Sequence, residues 1–127
     1  KFAVNTLMRS SVDTAKDALA KKFESVFALA GIETSFAGGY SGWAPNPESA
    51  ILATMKKVYK DMYGVEPAVM AIHAGLECGL FTEKFPGLDM VSFGPTLRGV
   101  HAPGERLDLA SLDKFVALLK DVIQNYK

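Results

Sequence analysis

Two short apolar runs, AVMAI at residues 68–72 and LDMVSF at residues 88–93, each give way to a polar, glycine-bearing loop. No other feature restricts the fold as strongly. Runs of this length bounded by turn signals fit strands covered on both faces. HAGLECG follows the first run and GPTLRGVHAPGE follows the second. If the two strands are parallel neighbours, both loops lie on one sheet edge, where the ligand sites of α/β proteins form.

The rest of the pattern agrees with an α/β chain. Residues 2–8 mix β-formers with alternation and predict a strand that ends at Arg9, Ser10 and Ser11. A helix follows, capped by Ser11 or Asp13, with Ala15, Leu19, Val26, Phe27 and Ala30 at helical spacing. Gly31 is its natural stop, and residues 32–36 predict the next strand. Strands of this kind, if neighbours, are parallel with a right-handed crossover. Glycine and proline cluster near residues 43–47, with glycines at 38, 39 and 42 and prolines at 45 and 47, which marks a boundary between parts 1–45 and 46–127.

Asn46 followed by Pro47 predicts an N-cap and first helical position. Ile51, Leu52, Met55, Val58, Tyr59 and Met62 then form an apolar stripe that Gly64 ends. Asp108 caps a last helix whose Leu109, Leu112, Phe115, Val116, Leu119, Val122 and Ile123 are expected to face inward.

Charge and length narrow the function. Fourteen basic residues balance fourteen acidic ones without a run of like charge. This argues against a nucleic-acid or anionic-membrane surface. The apolar runs fall far short of the roughly 18 residues of a membrane span. No signal peptide is visible. Cys78 is the single cysteine and forms no internal disulfide, which fits a reducing compartment, the cytoplasm. The 127 residues suit one ordinary domain or two small parts of something larger. The opening at Lys1 in a strand-like run is expected of a piece of a longer polypeptide.

The two loops gather His73, Glu77, Cys78, Thr96, Arg98, His101 and Glu105. Two histidines, a cysteine and carboxylates are the donor types that Zn²⁺ takes, three or four at a time. None of the compact metal spacings is present, neither HExxH nor CxxC. On spacing alone His101 is either a metal donor or a surface-loop histidine. Cys78 reads as a small core residue before a nucleophile. Arg9 is either a solvated charge or a planar fork for a carboxylate. The glycines of the His73 loop either form turns or let a ligand approach the backbone.

AIHAGLECGLF followed by PGLDMVSFGPTLRGVHAPGERLDLASLDKF resembles the C-terminal end of the aminoacyl-histidine dipeptidase (Xaa-His dipeptidase, peptidase D) family. These are di-zinc peptidases related to carnosinase, aminoacylase and carboxypeptidase G2. The resemblance covers the whole chain. It implies that residues 1–45 are the second half of a strand-helix-strand lid or dimerisation domain, in a ferredoxin-like arrangement. Residues 46–127 would then be the C-terminal portion of a catalytic α/β domain. It also implies that His101 is a ligand of one of two zinc ions, that Arg9 holds the substrate's terminal carboxylate, and that the Gly75 backbone lines the same pocket. A dipeptide substrate, a homodimer and the rest of the same polypeptide are the partners implied. The family's His-x-Asp motif, Glu-Glu pair and bridging aspartate do not occur here. The chain alone is therefore expected to be inactive, since no general base activates water. The alternatives are a non-catalytic α/β interaction or small-ligand module, and a purely dimerising homologue.

Overall fold

The computed structural model describes residues 3–39, 41–72 and 77–127. Its elements are α1 (Asp13–Leu29), α2 (Ala50–Tyr63), α3 (Cys78–Lys84), β1 (Leu97–Arg98), β2 (Arg106–Leu107) and α4 (Leu109–Asn125). Two compact units emerge, Lys1–Asn46 with Met70–Leu88, and Pro47–Val69 with Asp89–Lys127. The first division falls inside the glycine- and proline-rich boundary, but Met70–Leu88 groups with the first unit.

In the first unit, α1 is not capped by Ser11 or Asp13. Val12 is the N-cap, without a side-chain cap bond. Asp13 instead engages the Lys16 ammonium at 2.8 Å and the backbone N–H of Gly42 at 2.8 Å. Lys16 first, then the Gly42 N–H, hold the Asp13 carboxyl below its ordinary value. The C-terminus closes as its sequence predicts. Gly31 takes φ +67° and donates to the Ala28 carbonyl, while Ile32 donates to that of Phe27. That pair of bonds is a Schellman closure. None of the α1 side chains is buried, and Leu29 is 90% exposed.

The second unit has its core between α2 and α4. Met55 and Val58 of α2 meet Leu118 and Val122 of α4, with Tyr59, Met62, Val91 and Phe93 packed against them. The Phe93 and Phe115 rings lie 5.3 Å apart, tilted by 54°, a favourable aromatic geometry. The α2 stripe packs as its periodicity predicts. In α4 the inward face is displaced. Leu118 is buried, whereas Leu109 and Ile123 are 72% and 66% exposed and Val116 is also exposed. Among the described residues, α2 is the one helix packed on α4, and it covers only a narrow arc centred on Leu118 and Val122.

The start of α2 lies three residues beyond the expected one. Pro47 and Glu48 form a turn, and Ser49 is the N-cap, accepting the Leu52 N–H at 3.1 Å. Gly64 ends the helix at φ +72°, a conformation that glycine adopts without steric cost.

The expected strands at residues 2–8, 32–36, 68–72 and 88–93 carry no ladder over their described residues; β1 and β2 form the one sheet found there. A strand exists only where a neighbour accepts and donates its backbone hydrogen bonds. Apolar composition alone does not provide that neighbour. These segments also leave large side chains in the open, Val4 and Met70 each at 77%.

Candidate functional site

From Leu97 onward the GPTLRGVHAPGERL motif builds a short hairpin. Leu97 pairs with Leu107 and Arg98 with Arg106, antiparallel. The hairpin is tied to α4 at its base: Asp108 donates its N–H to the Thr96 carbonyl at 2.9 Å, and Thr96 donates to Ser111 Oγ at 2.8 Å. Asp108 itself caps α4 by accepting the Ala110 N–H at 3.1 Å, as its sequence position predicts.

Two consecutive turns make up the loop. Ala102 donates to the Gly99 carbonyl and Glu105 to the Ala102 carbonyl, both at 3.1 Å. Gly104, at φ +87°, sits third in the second turn behind Pro103. Proline then glycine is the expected chemistry for a turn with a left-handed third residue. The first turn has the same form, but its third residue is His101, at φ +62°. Among the described residues it alone adopts a left-handed backbone without being glycine. For a side chain this costs on the order of 1–3 kcal/mol and persists only where surrounding bonds enforce it. One such bond falls on this residue: the His101 N–H donates to Glu105 Oε2 at 3.0 Å.

His101 is exposed, and its imidazole takes no partner among the described residues. It therefore suits the part of a single metal donor. A complete shell is another matter. No group of three or more His, Cys, Asp or Glu side chains placed to hold a metal occurs among the described residues. Zinc needs at least three, so the donor chemistry on this loop fits one corner of such a site.

Thr96, Arg98, His101 and Glu105 thus share one hairpin in the second unit, where Arg98 also approaches Asp108 at 3.9 Å. Arg9, Glu77 and Cys78 belong to the first unit. His73 and Gly75 lie outside the described residues. Arg9 is exposed and, contrary to the strand expectation, stands in a segment without a ladder. Next to it the backbone is crowded. A Cβ on Gly42 would meet the Ser11 carbonyl oxygen at 2.5 Å, and one on Gly79 would run into that of Ser41. Glu77 precedes α3 without capping it through its side chain. Burial pushes the Cys78 thiol above its ordinary value. A thiol so shifted is a poor nucleophile at neutral pH, in line with a packing role. The hold of Glu105 on the His101 backbone is not visible in residue types. The Pro103–Gly104 turn, which folds position 105 back toward position 101, is the only hint in the sequence.

Residues 9–125 match the model of peptidase family M20/M25/M40, and the chain belongs to that family. Two relatives add detail. The cytosol non-specific dipeptidase of Escherichia coli (strain K12) is 36% identical over 121 residues, which make up 95% of this chain and 25% of that protein. The crystal structure of aminoacylhistidine dipeptidase from Vibrio alginolyticus superposes with a TM-score of 0.79 at 38% identity, covering 93% of this chain and 24% of that one. That likeness supports a peptidase α/β fold. The chain spans about a quarter of the length of the relatives it matches.

Proposed function

We propose that the chain is the C-terminal portion of a zinc-dependent dipeptidase that cleaves Xaa-His-type dipeptides in the cytoplasm. One observation carries this reading: identity of 36–38% to two dipeptidases over more than nine-tenths of the chain. In this reading residues 1–45 end a lid or dimerisation domain and residues 46–127 close the catalytic domain. The complete polypeptide works as a homodimer, and the missing metal donors and general base come from the rest of it.

When bound, a pair of zinc ions would supply an activated water and polarise the scissile carbonyl. This chain's own share is narrower. His101 offers one imidazole nitrogen to the metal from a loop fixed by two turns. Arg9 presents two parallel N–H donors to the substrate's terminal carboxylate, which restricts cleavage to short peptides with a free C-terminus. The Gly75 backbone, without a Cβ in the way, lines the same pocket. The chain on its own lacks a base to take the water proton and is inactive.

The test is hydrolysis of a dipeptide panel by the complete polypeptide, before and after chelation and Zn²⁺ replacement. Cleavage that is lost with the metal, restored by Zn²⁺ and greatest for Xaa-His substrates supports the reading. Dipeptide cleavage indifferent to chelation, or none with Zn²⁺ present, overturns it. No helix among the described residues is long and apolar enough to cross a membrane, and fractionation of the native cell checks the compartment.

A further inference from the structure

The loop that carries His101 holds more than its two turns. Glu105 stands where the loop rejoins the hairpin, immediately before Arg106 of β2, and its own N–H is fixed on the Ala102 carbonyl. From that base its carboxylate reaches back across the second turn to the His101 N–H at 3.0 Å. We propose that Glu105 is a positioning residue for His101: its carboxylate, by accepting that N–H, keeps the histidine backbone left-handed and so aims the imidazole. The inference rests on His101 being a metal donor, and goes beyond it by naming what orients the donor.

The physical case is one of competing conformations. A left-handed histidine in the third turn position is the less favoured of its backbone states, although histidine enters that region more readily than most residues. The Ala102-to-Gly99 bond closes the first turn without involving the His101 peptide N–H. With Glu105 truncated, the exposed N–H finds water at little cost, the turn relaxes toward negative φ, and the Cα–Cβ bond swings to a new direction. Stability changes little, because the residues are exposed and both turn bonds survive. The direction of the imidazole changes a great deal. Partners that orient a metal ligand typically matter by about 10- to 100-fold in affinity.

Two rivals exist. Glu105 could bind the metal itself through its other oxygen, or act only as a nearby negative charge. The length and charge of the side chain separate them. Glu105→Gln keeps the reach and an acceptor oxygen but loses the charge. Glu105→Asp keeps the charge but is one methylene short.

The experiment is a Co²⁺ titration of the complete polypeptide, stripped of metal, in competition with a chromophoric chelator. Wild type is compared with Glu105→Ala, Glu105→Asp, Glu105→Gln and His101→Ala, and metal-free thermal unfolding is recorded for each. The expected result is that Ala and Asp each weaken Co²⁺ binding about tenfold or more while Gln stays within about twofold. The metal-free unfolding temperatures should coincide. A Gln variant as weak as Ala, or an Asp variant as tight as wild type, overturns the positioning role in favour of charge or direct ligation. If Ala proves unable to fold, the Gln and Asp pair decides. Wild-type affinity in His101→Ala removes the metal-donor reading. Lost affinity in His101→Ala with wild-type affinity in Glu105→Ala removes the Glu105 inference alone.

Discussion

The carboxylate of Asp89 accepts the backbone N–H of Ile51 at 3.0 Å, across 38 positions of sequence. It also hydrogen-bonds the Ser49 side chain, which in turn accepts the Leu52 N–H. Two of the unpaired donors that open any helix are thereby satisfied, and a negative group sits at the positive end of α2. The Ser49 hydroxyl first, then the Ile51 N–H, hold the Asp89 carboxyl below its ordinary value of 3.8.

This lowered carboxylate dictates a pH dependence. A carboxyl group depressed on folding contributes stability that is complete above its unfolded value and is lost as pH falls through the folded one. Asp89→Asn is therefore expected to be less stable than wild type at about pH 7, with the gap narrowing below about pH 4. Denaturant melts followed by circular dichroism at the two extremes read the gap directly. An unchanged gap at low pH would detach Asp89 from the acid response.

The displaced face of α4 gives a second expectation. Leu118 is buried against α2, so Leu118→Ala should cost about 2–3 kcal/mol, near the lower end for core leucines because the core is small. Ile123 is largely exposed, and Ile123→Ala should stay within about 0.5 kcal/mol. Chemical denaturation of both variants decides. Equal losses would mean that Ile123 is covered.

Crowding at Gly42 predicts a contrast with its neighbour Gly39. Alanine at position 42 would press on the Ser11 carbonyl, whereas alanine at 39 meets nothing within 4 Å. Gly42→Ala should lose about 1–3 kcal/mol and Gly39→Ala about 0.5 kcal/mol or less. Two thermal melts suffice, and similar midpoints for the two would show that the 10–11 backbone gives way freely.

For Arg9 the expectation concerns catalysis by the complete polypeptide. Lysine keeps the charge but not the planar fork. If Arg9 clamps the substrate carboxylate, Arg9→Lys should lower kcat/KM for free dipeptides about ten- to a hundredfold, the equivalent of about 1.5–3 kcal/mol. Dipeptide amides, with no carboxylate to hold, should lose little. Equal losses on acid and amide would assign Arg9 a structural role.

What the sequence alone determined is local. The stripe from Ile51 to Met62, the left-handed stops at Gly31 and Gly64, and the Asp108 cap depend on residues within a turn or two of each other, and each stands as its pattern predicts. The HAGLECG and GPTLRGVHAPGERL segments also pointed to the family that the chain's similarity establishes. Tertiary structure decided the rest. Asn46 and Ser49 are both good caps by residue type, and α2 starts at Ser49 with the distant Asp89 on its open end. Four apolar runs have strand composition, but a ladder needs a second backbone, and composition cannot say where that backbone lies. The left-handed His101 has its N–H on a side chain four residues on, across the Pro103–Gly104 turn. Helical periodicity and glycine stops are written in neighbouring residues, whereas caps, ladders and aimed side chains depend on whichever partner the fold brings within about 3 Å, the reach of a hydrogen bond.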